Sequence, residues 1–65
     1  MPSSVISTTY YDSSTATLRI IYLSGAVYDY LNVPEKVFTA MRKAISKGSF
    51  LNKYIKGYYE FKKIN

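Results

Sequence analysis

The reading of this chain turns on the stretch "TLRIIYLSGAVYDY", Thr17 to Tyr30. Two segments whose side chains alternate between faces flank a Ser24-Gly25 corner, the pattern of a β-hairpin. Loop length sets the register of a hairpin, and a slip of one residue sends every side chain to the other face. A two-residue Ser24-Gly25 loop pairs Tyr22 with Val27 and Ile20 with Asp29, which puts a carboxylate among apolar core groups. A three-residue Leu23-Ser24-Gly25 loop, with the glycine in the left-handed conformation, pairs Tyr22 with Ala26, Ile20 with Tyr28 and Leu18 with Tyr30. The same register sets Arg19 opposite Asp29 and Ile21 opposite Val27 on the second face. One assumption then accounts for an ion pair and for apolar pairings together. The bulged loop is therefore expected, with Tyr28 and Tyr30 on the core face beside Leu18, Ile20 and Tyr22.

Working outward, Ile6 to Tyr11 is rich in threonine and tyrosine and reads as a strand, closed by the turn-forming Asp12-Ser13-Ser14. Downstream, Val33-Pro34-Glu35 puts proline at the first helical position, after Asn32 or Val33, with an acid in the first turn. Val37, Phe38, Met41, Ala44 and Ile45 recur at helical spacing as a buried stripe, with Lys36, Lys43 and Lys47 along a flank. Gly48 is expected to end this helix and Ser49 to cap a second, which turns Phe50, Leu51, Tyr54 and Ile55 inward and Asn52, Lys53 and Lys56 outward before Gly57 stops it. The tail "YYEFKKI" reads equally as a further strand or an extended arm. The expected architecture is α+β. An antiparallel three-stranded meander (about 5–11, 17–23 and 26–31) is covered on one face by a helix at about 34–47 and a short helix at about 49–56, with 58–63 as an extended segment or fourth strand.

At 65 residues the chain is expected to be one domain spanning 1–65 with a thin core. A composition of 48% hydrophobic and 17% aromatic residues excludes a disordered polyelectrolyte. With no cysteine there is neither a disulfide framework nor a thiolate metal site, and no apolar run is long enough to span a membrane, so no membrane partner is expected and a cytoplasmic location is. The net charge of +5 favours anionic partners and also serves solubility.

The ordered series Ser3-Ser4, Tyr11-Asp12, Leu18, Gly25, Tyr28-x-Tyr30, Val33-Pro34, Ala44, Ser46-Lys47-Gly48, Phe50, Ile55 and Tyr58 closely resembles the KTSC domain family across nearly the whole chain. That family takes its name from the C-terminal domain of some lysyl-tRNA synthetases and also occurs as small stand-alone proteins with a central Tyr-x-Tyr. The resemblance implies no established activity, and through the synthetase connection it implies RNA binding. Thr9 and Tyr10 depart from the family pattern, where an aliphatic and a small residue precede the tyrosine.

Chemistry is hard to build from this inventory. There is no histidine or cysteine, and the acids Asp12, Asp29, Glu35 and Glu60 are isolated in sequence, so no enzyme, metal or cofactor is expected. Three binding readings remain. The first is RNA or another single-stranded nucleic acid, with Lys43, Lys47, Lys53 and Lys56 on phosphates and Tyr59 and Tyr10 stacking on bases. The second is a protein-interaction or inhibitor module, a homodimer being one form of it, using the apolar outer sheet face of Ile21, Leu23, Val27 and Leu31. The third is a small nucleotide or phosphate at the Ser46-Lys47-Gly48-Ser49 turn, where Lys47 supplies charge and the amides and hydroxyl beside Gly48 and Ser49 supply geometry. The first and third have a structural counterpart: Gly48 and Ser49 serve as helix caps, and the C-terminal aromatics close the core, with Tyr59, Lys53, Lys56 and Lys62 as the exposed members. Tyr28 and Tyr30 read first as core, their phenol oxygens reaching the rim.

Overall fold

The computed structural model describes residues 6–65. Strands β1 (Ile6–Asp12), β2 (Thr17–Tyr22), β3 (Val27–Tyr30) and β4 (Phe61–Lys63) form one antiparallel sheet in the order β1-β2-β3-β4. Val5 and the Ser3-Ser4 pair lie outside the described residues. Helix α1 (Glu35–Lys43) follows β3, and helix α2 (Lys47–Phe50) runs directly into a π-helical turn, Leu51–Ile55.

The hairpin has the bulged register. Leu18 pairs with Tyr30, Arg19 with Asp29, Ile20 with Tyr28 and Ile21 with Val27. The Gly25 amide donates to the Tyr22 carbonyl and the Tyr22 amide to the Ala26 carbonyl, both at 2.9 Å. Gly25 sits at φ +95°, a conformation that side-chain-bearing residues rarely adopt. Arg19 grips Asp29 with two bonds, Nε to Oδ1 at 2.7 Å and Nη2 to Oδ2 at 3.0 Å, on the face away from the helices. The tail resolves into a strand: β4 sets Phe61 beside Tyr30, Lys62 beside Asp29 and Lys63 beside Tyr28.

The core gathers Leu18, Ile20 and Tyr30 from the sheet, Val33 from the connection, Met41 from α1, and Leu51 and Ile55 from the π turn. Tyr11 ties strand to helix, because its hydroxyl donates to the Val33 carbonyl at 2.6 Å and its ring stacks on Phe38 at 5.0 Å. Tyr30 is 3% exposed, which places it in the core as expected.

The helix boundaries differ from the sequence expectation. Pro34 flanks α1 instead of opening it, and the helix stops at Lys43, where Ala44 turns extended (ψ 143°). Ile45, expected in the buried stripe, is 105% exposed. Ser46 accounts for the early stop. Its extended backbone (φ −123°, ψ 108°) leaves its hydroxyl free to accept from the Ser49 amide at 3.2 Å, so Ser46, not Ser49, is the cap of α2. Gly48 then lies buried inside α2 instead of ending α1. The π turn carries Leu51 and Ile55 inward and leaves Tyr54 exposed, its ring against Phe50 at 4.8 Å.

Candidate nucleic-acid interface

Alternation on β2 and β3 puts Tyr22, Tyr28 and Tyr30 on the helix-covered face, but the helices reach over only part of it. Tyr30 lies beneath the core. Tyr22 and Tyr28 stand at its border, half-buried, where they meet edge to face at 5.6 Å and 89°. β4 adds Phe61, whose ring lies 5.5 Å from Tyr28 and 5.7 Å from Tyr30 and is 57% exposed. On the β3 side of Tyr22 the sheet carries only Ala26, and the missing bulk opens a cleft of about 480 Å³ between the hairpin loop, the aromatic rings and Lys56-Gly57.

The π turn aims Lys56. Its amide reaches back five residues to the Leu51 carbonyl at 2.8 Å, closing the widened turn. Lys56 then leaves the helix in an extended conformation, with Nζ 5.9 Å above the centre of the Tyr22 ring. The Tyr22 phenol is pushed well above its ordinary range, chiefly by burial and further by the neighbouring Tyr30 hydroxyl and the Tyr28 phenol. At neutral pH the Tyr22 hydroxyl is therefore neutral, able both to donate and to accept, beside the Lys56 side chain.

The sequence-derived candidates separate into four groups. Lys56 and the Tyr28-x-Tyr30 pair come together at the cleft. Lys43, Lys47 and Lys53 are exposed on the helical layer. Gly48 is enclosed and the Ser49 amide is already bonded to Ser46 Oγ, so the Ser46 to Ser49 turn holds neither an open glycine nor a free Ser49 amide. The two stacking candidates are placed apart. Tyr10, 60% exposed, pairs with Arg19 on the outer face, and Tyr59, expected to be exposed, is half-buried against the core. Its neighbour Tyr58 is the exposed one, at 72%. After the left-handed Gly57 (φ +84°) the chain has lost its helical period, and nothing in the pattern says which of two adjacent tyrosines turns inward.

Tyr22, Ala26, Gly57 and Phe61 were not singled out from sequence as site residues. The one signal pointing to them was alanine opposite tyrosine in a face otherwise made of large side chains. The outer face carries a second, smaller hollow of about 340 Å³, where Arg19 and Asp29 satisfy each other. Arg19 holds the Asp29 carboxyl below the usual carboxylate range, chiefly by hydrogen bonding. Among the described residues, no helix is long and apolar enough to cross a membrane.

A family model for the KTSC domain matches residues 2–59. A lysine–tRNA ligase of Nostoc punctiforme is 42% identical over 62 residues, which cover 95% of this chain and 11% of the ligase. A lysine–tRNA ligase of Trichormus variabilis is 38% identical over 55 residues, 85% of this chain and 10% of the ligase. The chain thus spans about a tenth of the length of the curated relatives it matches. The crystal structure of a KTSC domain protein from Yersinia pestis has a TM-score of 0.92 at 35% identity, covering 100% of this chain and 92% of that one. The α+β meander and its helical cover are thus shared with a solved relative, and the chain belongs to the KTSC domain family.

Proposed function

We propose that this chain is a small noncatalytic module that binds single-stranded nucleic acid, with RNA as its ligand. One observation carries the reading: among the described residues the only ion pair is Arg19 with Asp29, so the other eight basic side chains are not ion-paired, and Lys62 lies beside a carboxylate that Arg19 already holds. Their charge is free to meet phosphates. Lys43, Lys47, Lys53 and Lys56 are all exposed on the helical layer or just beyond it, and cations beside aromatic rings are the combination that holds single strands. The relatives support the same ligand class, since the enzymes that contain a segment like this one are named for ligating lysine to a tRNA. Neutralising four phosphates gives a slope of log affinity against log salt of about −3 for a single strand. Fluorescence anisotropy with a labelled mixed-sequence RNA, measured from about 50 to 200 mM salt, tests this; absence of binding at the lowest salt refutes it.

A protein-interaction role for the outer sheet face has a separate basis. Tyr10, Leu23 and Ile64 are largely exposed there, around the half-buried Ile21, Val27 and Leu31. Apolar groups gathered on one face favour association with a second chain. Light scattering that returns the monomer mass at every concentration excludes self-association as the role of this face.

A further inference from the structure

We propose that the cleft between Tyr22, Tyr28 and Phe61 receives one unstacked base of a bound single strand, with the phosphate of that nucleotide on Lys56. The proposal rests on the nucleic-acid reading above and assigns its specific site.

The volume fits a small planar group, because about 480 Å³ lies within the roughly 300–1,000 Å³ of pockets that take small organic molecules. The walls fit its faces. Tyr28 and Phe61 are inclined at 49° instead of closing on each other, and Tyr22 stands edge-on, so ring surface is left for a third aromatic group. Phe61 is far more exposed than the core residues it adjoins. A large apolar ring on an edge strand is normally avoided in a small protein, and a stacking partner accounts for it.

Charge selects among aromatic-binding ligands. An aromatic cage also suits quaternary ammonium groups, but here the Lys56 ammonium already stands over the Tyr22 ring, and a second cation would be repelled. The chain's +5 charge acts in the same direction. An anionic ligand with a flat, polar-edged ring matches both features: the phosphate meets Lys56, and the edge of the base meets the phenol hydroxyls, which donate or accept. Base identity is then read weakly, because stacking tolerates every base.

The test uses a fluorescein-labelled mixed-sequence RNA octamer and an octamer of the same sugar-phosphate backbone without bases, each titrated at several salt concentrations from about 50 to 200 mM. Wild-type protein is expected to bind the octamer with bases about five- to 150-fold more tightly, the range for one stacked base. Phe61→Ala, at an exposed edge position, removes most of that difference while circular dichroism shows an unchanged fold. Lys56→Ala leaves the difference and lowers the steepness of the salt dependence by about 0.7, the loss of one phosphate contact on a single strand. Equal affinity for the two octamers overturns the base site while leaving the nucleic-acid reading in place. Preference for a trimethyllysine peptide over the octamer also overturns it. No binding of either octamer refutes both readings.

Discussion

Replacing Tyr30 with alanine separates the two halves of the Tyr-x-Tyr pair. Tyr30 is 3% exposed and packs among Leu18, Ile20, Val33, Met41, Leu51 and Ile55. An aromatic side chain buries about 150–250 Å², which at about 25 cal/mol per Å² corresponds to roughly 4–6 kcal/mol of transfer free energy. Measured truncations of buried aromatic residues cluster at about 3–5 kcal/mol. A 65-residue domain at about 0.05–0.15 kcal/mol per residue has only about 3–10 kcal/mol in total. Tyr30→Ala is therefore expected to lower Tm by more than about 12 °C, or to leave no cooperative transition. Tyr28→Ala removes a half-buried ring that borders the cleft and is expected to cost less than half as much. Thermal melts followed by far-ultraviolet circular dichroism, with urea titration for the variants that remain folded, measure both. A Tyr30→Ala protein melting within about 5 °C of wild type would refute the burial argument, and with it the division of the pair into a core member and a cleft member.

Ser46→Ala should lose about 0.5–2 kcal/mol through its missing cap bond, and Ser49→Ala should be near neutral because only its amide is used; the order reverses if Ser49 is the cap. Tyr11→Phe should destabilise by about 1 kcal/mol in urea titration, since it leaves the Val33 carbonyl without its 2.6 Å donor. In acid, the stability that comes from the Asp29 and Asp12 carboxyls is present above about pH 4 and is lost as pH falls through their depressed pKa values. Arg19→Met should flatten the Asp29 part of that loss. In alkali the sign reverses: Tyr22 and Tyr11 have raised pKa values in the folded chain, so their contribution is complete below about pH 10 and declines as pH rises further. Ultraviolet absorbance titration of the phenolates should show late-ionising groups, of which one disappears in Tyr22→Phe.

The hairpin was legible because its two registers differ by a large physical cost. One buries Asp29 beside Ile20, and the other pairs it with Arg19, as the structure does. No comparable cost separates the ways of ending α1. Gly48 is as acceptable at a helix end as inside a helix whose packing needs a small residue, and Ser46 and Ser49 are both good caps. The boundary was decided by the Ser46 cap together with the contacts that bring Leu51 and Ile55 into the core. The C-terminal strand was visible only as one of two options, because three residues carry too little pattern to separate a strand from an arm. The cleft was less legible still. Tyr22, Tyr28, Lys56 and Phe61 come from β2, β3, the end of the π turn and β4, and no local spacing links them.

The widened turn at Leu51–Ile55 bears on how relatives of this chain diverge. A π turn is an α-helix with one residue inserted, its five residues closing nearly the same rotation that four make in an α-helix, so deleting a single residue between positions 51 and 55 restores ordinary winding with the flanking chain nearly in register. Lys56 would then keep its place above the Tyr22 ring, and the preceding helix would keep its own. Length variation by one residue at this point is thus absorbed locally, so descendants of a common ancestor can differ in length here without any change to the aromatic walls or to the cation above them.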